Sequence, residues 1–99
     1  MSNTYQIFLI SDSTGETLDR IFLSLKAQFQ NIEYKVNSYS FTRTENQVLK
    51  ILDIAKKEKN SIILYTIVDN NLAKFLANKS DEKKIPCFGV LGSLILSFS

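Results

Sequence analysis

The sequence predicts an α/β domain with a four-stranded parallel sheet in the order 2-1-3-4. Two observations carry this. Short apolar blocks rich in β-branched and aromatic residues alternate with segments whose apolar residues recur at helical spacing. The first and third blocks, QIFLI and IILYTIV, are almost continuously apolar, as strands buried on both faces must be, whereas the second, EYKVNSYSF, mixes in Lys35, Asn37, Ser38 and Ser40 and suits a sheet edge. Strands that alternate with helices pair in parallel through right-handed crossovers, which gives a Rossmann-like three-layer domain with helices on both faces.

In chain order, the first strand is Tyr5 to Ser11. Leu18, Ile21, Phe22, Leu25 and Phe29 then place one apolar stripe along a helix of about four turns. The second strand is Tyr34 to Phe41, and Val48, Ile51, Leu52 and Ala55 mark the helix after it. Ser61 to Val68 is the third strand, followed by a shorter stripe of Leu72, Phe75 and Leu76. The fourth, Ile85 to Phe88, carries Pro86 near its start, where a missing N–H is tolerated. Leu91, Leu94, Ile95 and Phe98 again stand at helical spacing, and this tail needs the sheet, a second subunit or another domain to cover it. The order 2-1-3-4 puts a topological switch point between strands one and three, so the loops after Ser11 and Val68 are where a ligand is expected.

The 99 residues are 44% apolar, enough for one small domain over residues 1–99 and too few for a multidomain enzyme. Twelve basic residues oppose ten acidic ones, and their scatter gives no footprint for nucleic acid or an anionic membrane. With no histidine, one cysteine (Cys87) and no tryptophan, His/Cys zinc sites, His-based triads and internal disulfides are excluded, and no metal set is read. The N-terminus has no signal-peptide pattern, and no run reaches the roughly 18 apolar residues that span a bilayer, so a cytoplasmic domain is expected. Lys56 to Lys59 and Lys79 to Lys84 are charge clusters at predicted helix ends, read as solvated caps.

The densest polar cluster, Ser11-Asp12-Ser13-Thr14-Gly15-Glu16-Thr17, lies between the first strand and its helix. Hydroxyls, a glycine and free helix N–H groups there suit a phosphate or carboxylate. Asp12 repels a bare anion, so it either holds a hydroxyl or sugar, or faces a phosphate across a magnesium ion. The plainer reading is structural: Ser13 and Glu16 form a capping box, and Glu16 pairs with Arg20 at i, i+4. Arg43, one of two arginines, either clamps an oxyanion or is a solvated loop charge beside a Thr44–Gln47 capping box. Asp69 is placed to cap the third helix and could equally face the crevice. Cys87 reads as a small buried hydrophobe. No G-x-x-x-x-G-K-[ST] occurs, and Gly89 and Gly92 make no dinucleotide fingerprint.

Beyond these physical readings, IFLISDSTGET at 7–17, AQF at 27–29, FTRTENQ at 41–47, ILYTIVDNNLAKFL at 63–76 and IPCFGVLG at 85–92 resemble, in order and spacing, one protein family. It is the N-terminal region of the pyruvate, phosphate dikinase regulatory proteins, also called phosphoenolpyruvate synthase regulatory proteins. SDSTGET is the most specific stretch. The resemblance implies a bifunctional enzyme: an ADP-dependent kinase that inactivates its target dikinase or synthase on a threonine, and a phosphorylase that uses phosphate to remove that group, releasing pyrophosphate. It implies a longer protein whose C-terminal part, not contained in this chain, carries the nucleotide-binding P-loop. It also implies ADP, phosphate and magnesium as ligands of the whole protein, with no cofactor of the fragment itself. The chain departs from the family where an Asp-x-x-Gly-Pro stretch is usual, having Gly89 and Ser93.

The expected role of this domain is therefore accessory. Ser11, Asp12, Ser13, Thr14, Gly15 and Arg43, with Asp69 as a further ligand-binding candidate, line a cleft that completes a site shared with the P-loop domain or docks the target protein. The alternative is a non-catalytic interaction or homodimerisation module. A phosphoacceptor receiver ranks last, because no lysine stands at a predicted strand end.

Overall fold

A computed structural model describes residues 4–27 and 31–90. The elements are β1 (Tyr5–Ser11), α1 (Glu16–Lys26), β2 (Tyr34–Tyr39), α2 (Glu45–Lys57), β3 (Ser61–Thr66), α3 (Asn70–Glu82) and β4 (Cys87–Gly89). The sheet order is β2-β1-β3-β4 and every pairing is parallel, as the sequence predicts. The register aligns Ile7 with Val36 on one side and Ile62 on the other, so the strand ends of β1 and β3 stand level.

The alternation of side chains along β1 sorts the core into two layers. Phe8 and Ile10 join Ile63, Ile67 and the buried stripes of α2 and α3 on one face; Ile7 and Leu9 join Leu64, Leu18 and Phe22 of α1 on the other. The helical stripes are correctly placed: Val48, Ile51, Leu52 and Ala55 of α2 are buried, as are Leu72 and Leu76 of α3, with Phe75 half-buried. Tyr39 and Tyr34 of the edge strand β2 reach inward, the first stacked on Phe8 and the second edge-on to Phe22, with centroids 6.1 Å and 5.6 Å apart. Each such pair adds about 0.5–1.5 kcal/mol to what burial supplies. The exposed residues of β2 confirm its place at the edge.

Boundaries differ at three strands. The second strand ends at Tyr39 rather than Phe41, because Phe41 turns into the left-handed region (φ 54) and donates its N–H to Ser13 O at 2.9 Å instead of continuing the ladder. The third ends at Thr66 rather than Val68, whose N–H goes to the Asp12 carboxylate. The fourth is Cys87–Gly89 rather than Ile85 to Phe88, since Ile85 N–H is spent closing α3 on Ser80 O at 2.9 Å and Pro86 has no N–H to give. The expected tail helix from Leu91, and Phe29 of the first stripe, lie outside the described residues.

Candidate functional site

Three loops meet at the carboxyl ends of the strands, beside the switch point between β1 and β3. Backbone hydrogen bonds lock them together. Asp12 N–H donates to Thr66 O at 3.3 Å, and Thr42 N–H to Ser11 O at 2.8 Å. The loop after β1 is thus held from both sides by the loops after β2 and β3.

Side chains complete the frame. Asp12 Oδ2 accepts Val68 N–H at 2.8 Å, which ties the carboxylate to the loop after β3. Arg43 reaches back from the loop after β2 and donates its Nε–H to Asp12 O at 2.9 Å, while its guanidinium lies 5.2 Å from the centre of the Phe41 ring. Nε is committed, and among the described residues the two terminal nitrogens have no protein acceptor. Asp69 Oδ1 accepts Leu72 N–H at 3.1 Å, capping α3, and Asp69 still borders the crevice. Both readings of this residue are therefore realised at once. Asp12, Arg43, Asp69 and Leu72 line an open cleft of about 420 Å³.

The rest of the SDSTGET cluster sits on the other side of the same loop. Ser11 is buried, and its Oγ accepts Ser13 N–H at 3.1 Å and lies 3.3 Å from Ser13 Oγ. Ser11, Thr14 and Gly15 border a second, much smaller opening of about 30 Å³, together with Ser38 and Ser40 of the edge strand region. One loop thus serves two spaces, the larger lined by Asp12, Arg43, Asp69 and Leu72 and the smaller by hydroxyl-bearing residues together with Leu9, Leu18 and Asp19.

The Ser13–Glu16 capping box does not form, a correction to the plainer reading of this cluster. Gly15 is the N-cap of α1, in the left-handed region at φ 87, and no side chain caps the helix. Glu16 N–H finds only Thr14 Oγ1, at 3.5 Å. Ser13 is occupied with Ser11, so it cannot reach the third helical N–H as a capping serine must. The Glu16–Arg20 pair is also absent; the ion pair found among the described residues is Lys79–Glu82 at 3.5 Å. The Thr44–Gln47 box, in contrast, forms in full: Gln47 N–H donates to Thr44 Oγ1 at 3.2 Å and Thr44 N–H to Gln47 Oε1 at 3.0 Å. Arg43 N–H shares that oxygen at 2.7 Å. The box anchors the backbone of Arg43, so the arginine is a held group rather than a free loop charge.

Phe41 is the residue the sequence reading passed over. Its left-handed backbone carries no sequence signal, since glycine or asparagine is the usual occupant and a bulky residue there is an outlier. Cys87 behaves as a hydrophobe: half-buried, its thiol is pushed up from the ordinary value by burial, which a contact from Ser80 partly offsets. Burial, and secondarily the nearby Cys87, also raise Tyr65. The outer end of the Tyr65 ring lies 2.9 Å from the position of a Cβ on Gly89, so a larger residue there would have to displace that ring. Among the described residues, no cluster of three or more His, Cys, Asp or Glu is placed to hold a metal ion, and no helix is long and apolar enough to cross a membrane.

These features define a doubly wound α/β domain with a polar crevice at its switch point. The sequence profile of the kinase/pyrophosphorylase family matches residues 7–99, and the chain belongs to that family. A protein of Pelagibacter ubique (strain HTCC1062) is 78% identical over 99 residues, which is 100% of this chain and 36% of the relative. One of Ehrlichia chaffeensis is 35% identical over 99% of this chain and 36% of its own length, and one of Agrobacterium fabrum 38% identical over 92% and 33%. All three are provisionally named as pyruvate, phosphate dikinase regulatory proteins. The chain spans about a third of the length of these curated relatives.

Proposed function

We propose that this domain is the N-terminal part of a regulatory phosphotransferase acting on pyruvate, phosphate dikinase or phosphoenolpyruvate synthase in the cytoplasm. The activity proposed for the whole protein is reversible: ADP-dependent phosphorylation of a threonine of the target, and phosphate-dependent removal of that group with release of pyrophosphate. Family membership and the names of the relatives support the reading. The contribution of this chain is to hold anionic groups at the crevice, in a site completed by a nucleotide-binding P-loop domain elsewhere in the longer protein.

The observation that carries the proposal is Arg43. Its backbone is anchored by the Gln47 side chain and its Nε by the Asp12 carbonyl, which leaves the terminal nitrogens for an oxyanion. An arginine already held in place gives up less side-chain entropy on binding than one free in solvent. Two carboxylates, Asp12 and Asp69, border the same cleft, each with one oxygen bonded to a backbone N–H. With one guanidinium against two carboxylates, a bare phosphate is disfavoured. A magnesium ion carried with the phosphate groups reverses that balance, and Asp12 and Asp69 are the oxygen donors available to meet it, directly or through its water. Phosphoryl transfer depends on this kind of positioning and charge neutralisation, so the domain alone should transfer nothing.

The test uses the purified 99-residue chain with ADP, magnesium and the dikinase. No phosphorylation is expected, and incorporation of phosphate into the dikinase by this chain alone would overturn the accessory role. A second reading, a non-catalytic interaction or dimerisation module, is favoured by an apolar opening of about 250 Å³ lined by Tyr5, Ile7, Ile32, Tyr34 and Ile62. In the longer protein, Asp12→Ala and Arg43→Ala should depress regulation of the target without unfolding the domain. Intact regulation in both variants would favour the second reading.

A further inference from the structure

Half of the chain's twelve basic residues gather at the end of the sheet opposite the crevice. Lys56 and Lys57 lie in the last turn of α2, Lys79 in the last turn of α3, and Lys59, Lys83 and Lys84 in the segments that follow. Four of them, Lys56, Lys59, Lys83 and Lys84, line one groove of about 300 Å³, together with the exposed Pro86 and the buried Ala55 and Ile85 beneath. Among the described residues none of the four is within ion-pair distance of a carboxylate. Solvated helix ends explain part of this clustering, because each helix C-terminus carries about half a negative charge. They do not exhaust it. Four ammonium groups set against Glu58 and two helix ends leave about +2 at this groove, as much as the net charge of the entire chain.

A second observation singles out Lys84. It occupies the position after the α3 C-cap at φ 60, its N–H donating to Asp81 O at 3.0 Å and that of Ile85 to Ser80 O at 2.9 Å. This is the helix-ending motif in which glycine is the usual residue, because a Cβ is strained there. A lysine in that place is held, by a strained backbone, on the wall of the groove. Lys56 is held too, donating its Nζ–H to Lys83 O at 3.2 Å.

We propose that this groove is a docking site for an acidic segment of a partner protein, one rich in Asp and Glu. The lining favours a peptide over a nucleic acid. It contains no arginine to fork onto phosphates and no aromatic ring on which a base could stack, the two features single-stranded nucleic acid sites share. Lysine ammonium groups are point charges suited to carboxylates, and the exposed Pro86 beside them offers an apolar surface. The groove lies away from Arg43 and Asp12, so docking there and anion binding at the crevice are separable.

The experiment is fluorescence anisotropy of the 99-residue chain with a labelled eight-residue Glu/Asp peptide at low salt. Saturable binding is expected that weakens as salt rises, because the charges are exposed. Lys84→Gly should weaken it by about two- to fivefold, the range of one exposed ion pair, while raising the thermal midpoint by relieving the backbone. A merely structural lysine would not move the two readouts in opposite directions. Lys59→Glu should weaken binding more, and Lys35→Glu, an equal change of net charge on the edge strand, should leave it unchanged. Three results would each overturn the proposal: no saturable binding, equal losses from Lys35→Glu and Lys59→Glu, or tighter binding of a single-stranded DNA octamer than of the peptide.

Discussion

At the scale of single residues, two positions hold conformations or groups that the fold tolerates at a cost, and both give measurable signs. Ser80 is fully buried, and its hydroxyl makes no hydrogen bond of ordinary geometry. Ser80→Ala removes a desolvated polar atom and should stabilise the chain by about 1 kcal/mol in urea unfolding. The same change removes the contact that lowers the Cys87 thiol, which burial has raised, so alkylation of Cys87 should slow further. Because the folded thiol pKa lies above its ordinary value of 9.0, the stability it contributes is complete below that pH and is lost as pH rises through the raised value. Phe41 is the other case. With φ at 54, Phe41→Gly and Phe41→Ala both lose the ring over Arg43, but only alanine keeps the strain. Glycine should therefore be the more stable of the two by about 1 kcal/mol, against the usual ranking.

Between residues and fold, the helix starts separate what a sequence pattern can specify from what it cannot. S-x-x-E and T-x-x-Q look equivalent in the chain, yet only Thr44 caps its helix. The difference is tertiary: Ser13 O is taken by Phe41 N–H and its N–H by Ser11 Oγ, contacts set by where the edge strand ends. Ser13→Ala should therefore cost under about 0.5 kcal/mol, whereas Thr44→Ala should cost about 1 kcal/mol, as read by chemical denaturation. Strand order, burial of the apolar stripes and the double role of Asp69 were legible because they follow from hydrophobic period and crossover handedness, which are local or nearly so. The crevice was legible only in part. Asp12, Arg43 and Asp69 converge as the switch-point rule implies, while Ser11, Thr14 and Gly15 face a separate small space, a division that depends on backbone turns with no residue signature.

Over the whole molecule, one sheet separates two ends of different character. At the carboxyl ends of the strands, loops locked by hydrogen bonds present a guanidinium and two carboxylates to one cleft; at the amino ends, helix termini present lysines. The core between them is continuous through β1, so Leu52→Ala, fully buried against that sheet, should lower stability by about 2–5 kcal/mol and weaken both ends together. Arg43, proposed above as a preset anion-binding group, can be tested directly. With only two arginines in the chain, its Nε–H gives one of two signals of that type in a nitrogen-correlated NMR spectrum, Arg20 serving as the internal reference. Titration of the 99-residue chain with magnesium pyrophosphate should move the Arg43 signal saturably and leave that of Arg20 in place, and Asp12→Ala should weaken the response. An Arg43 signal that stays fixed throughout the titration, or that moves only in step with Arg20, would contradict the account.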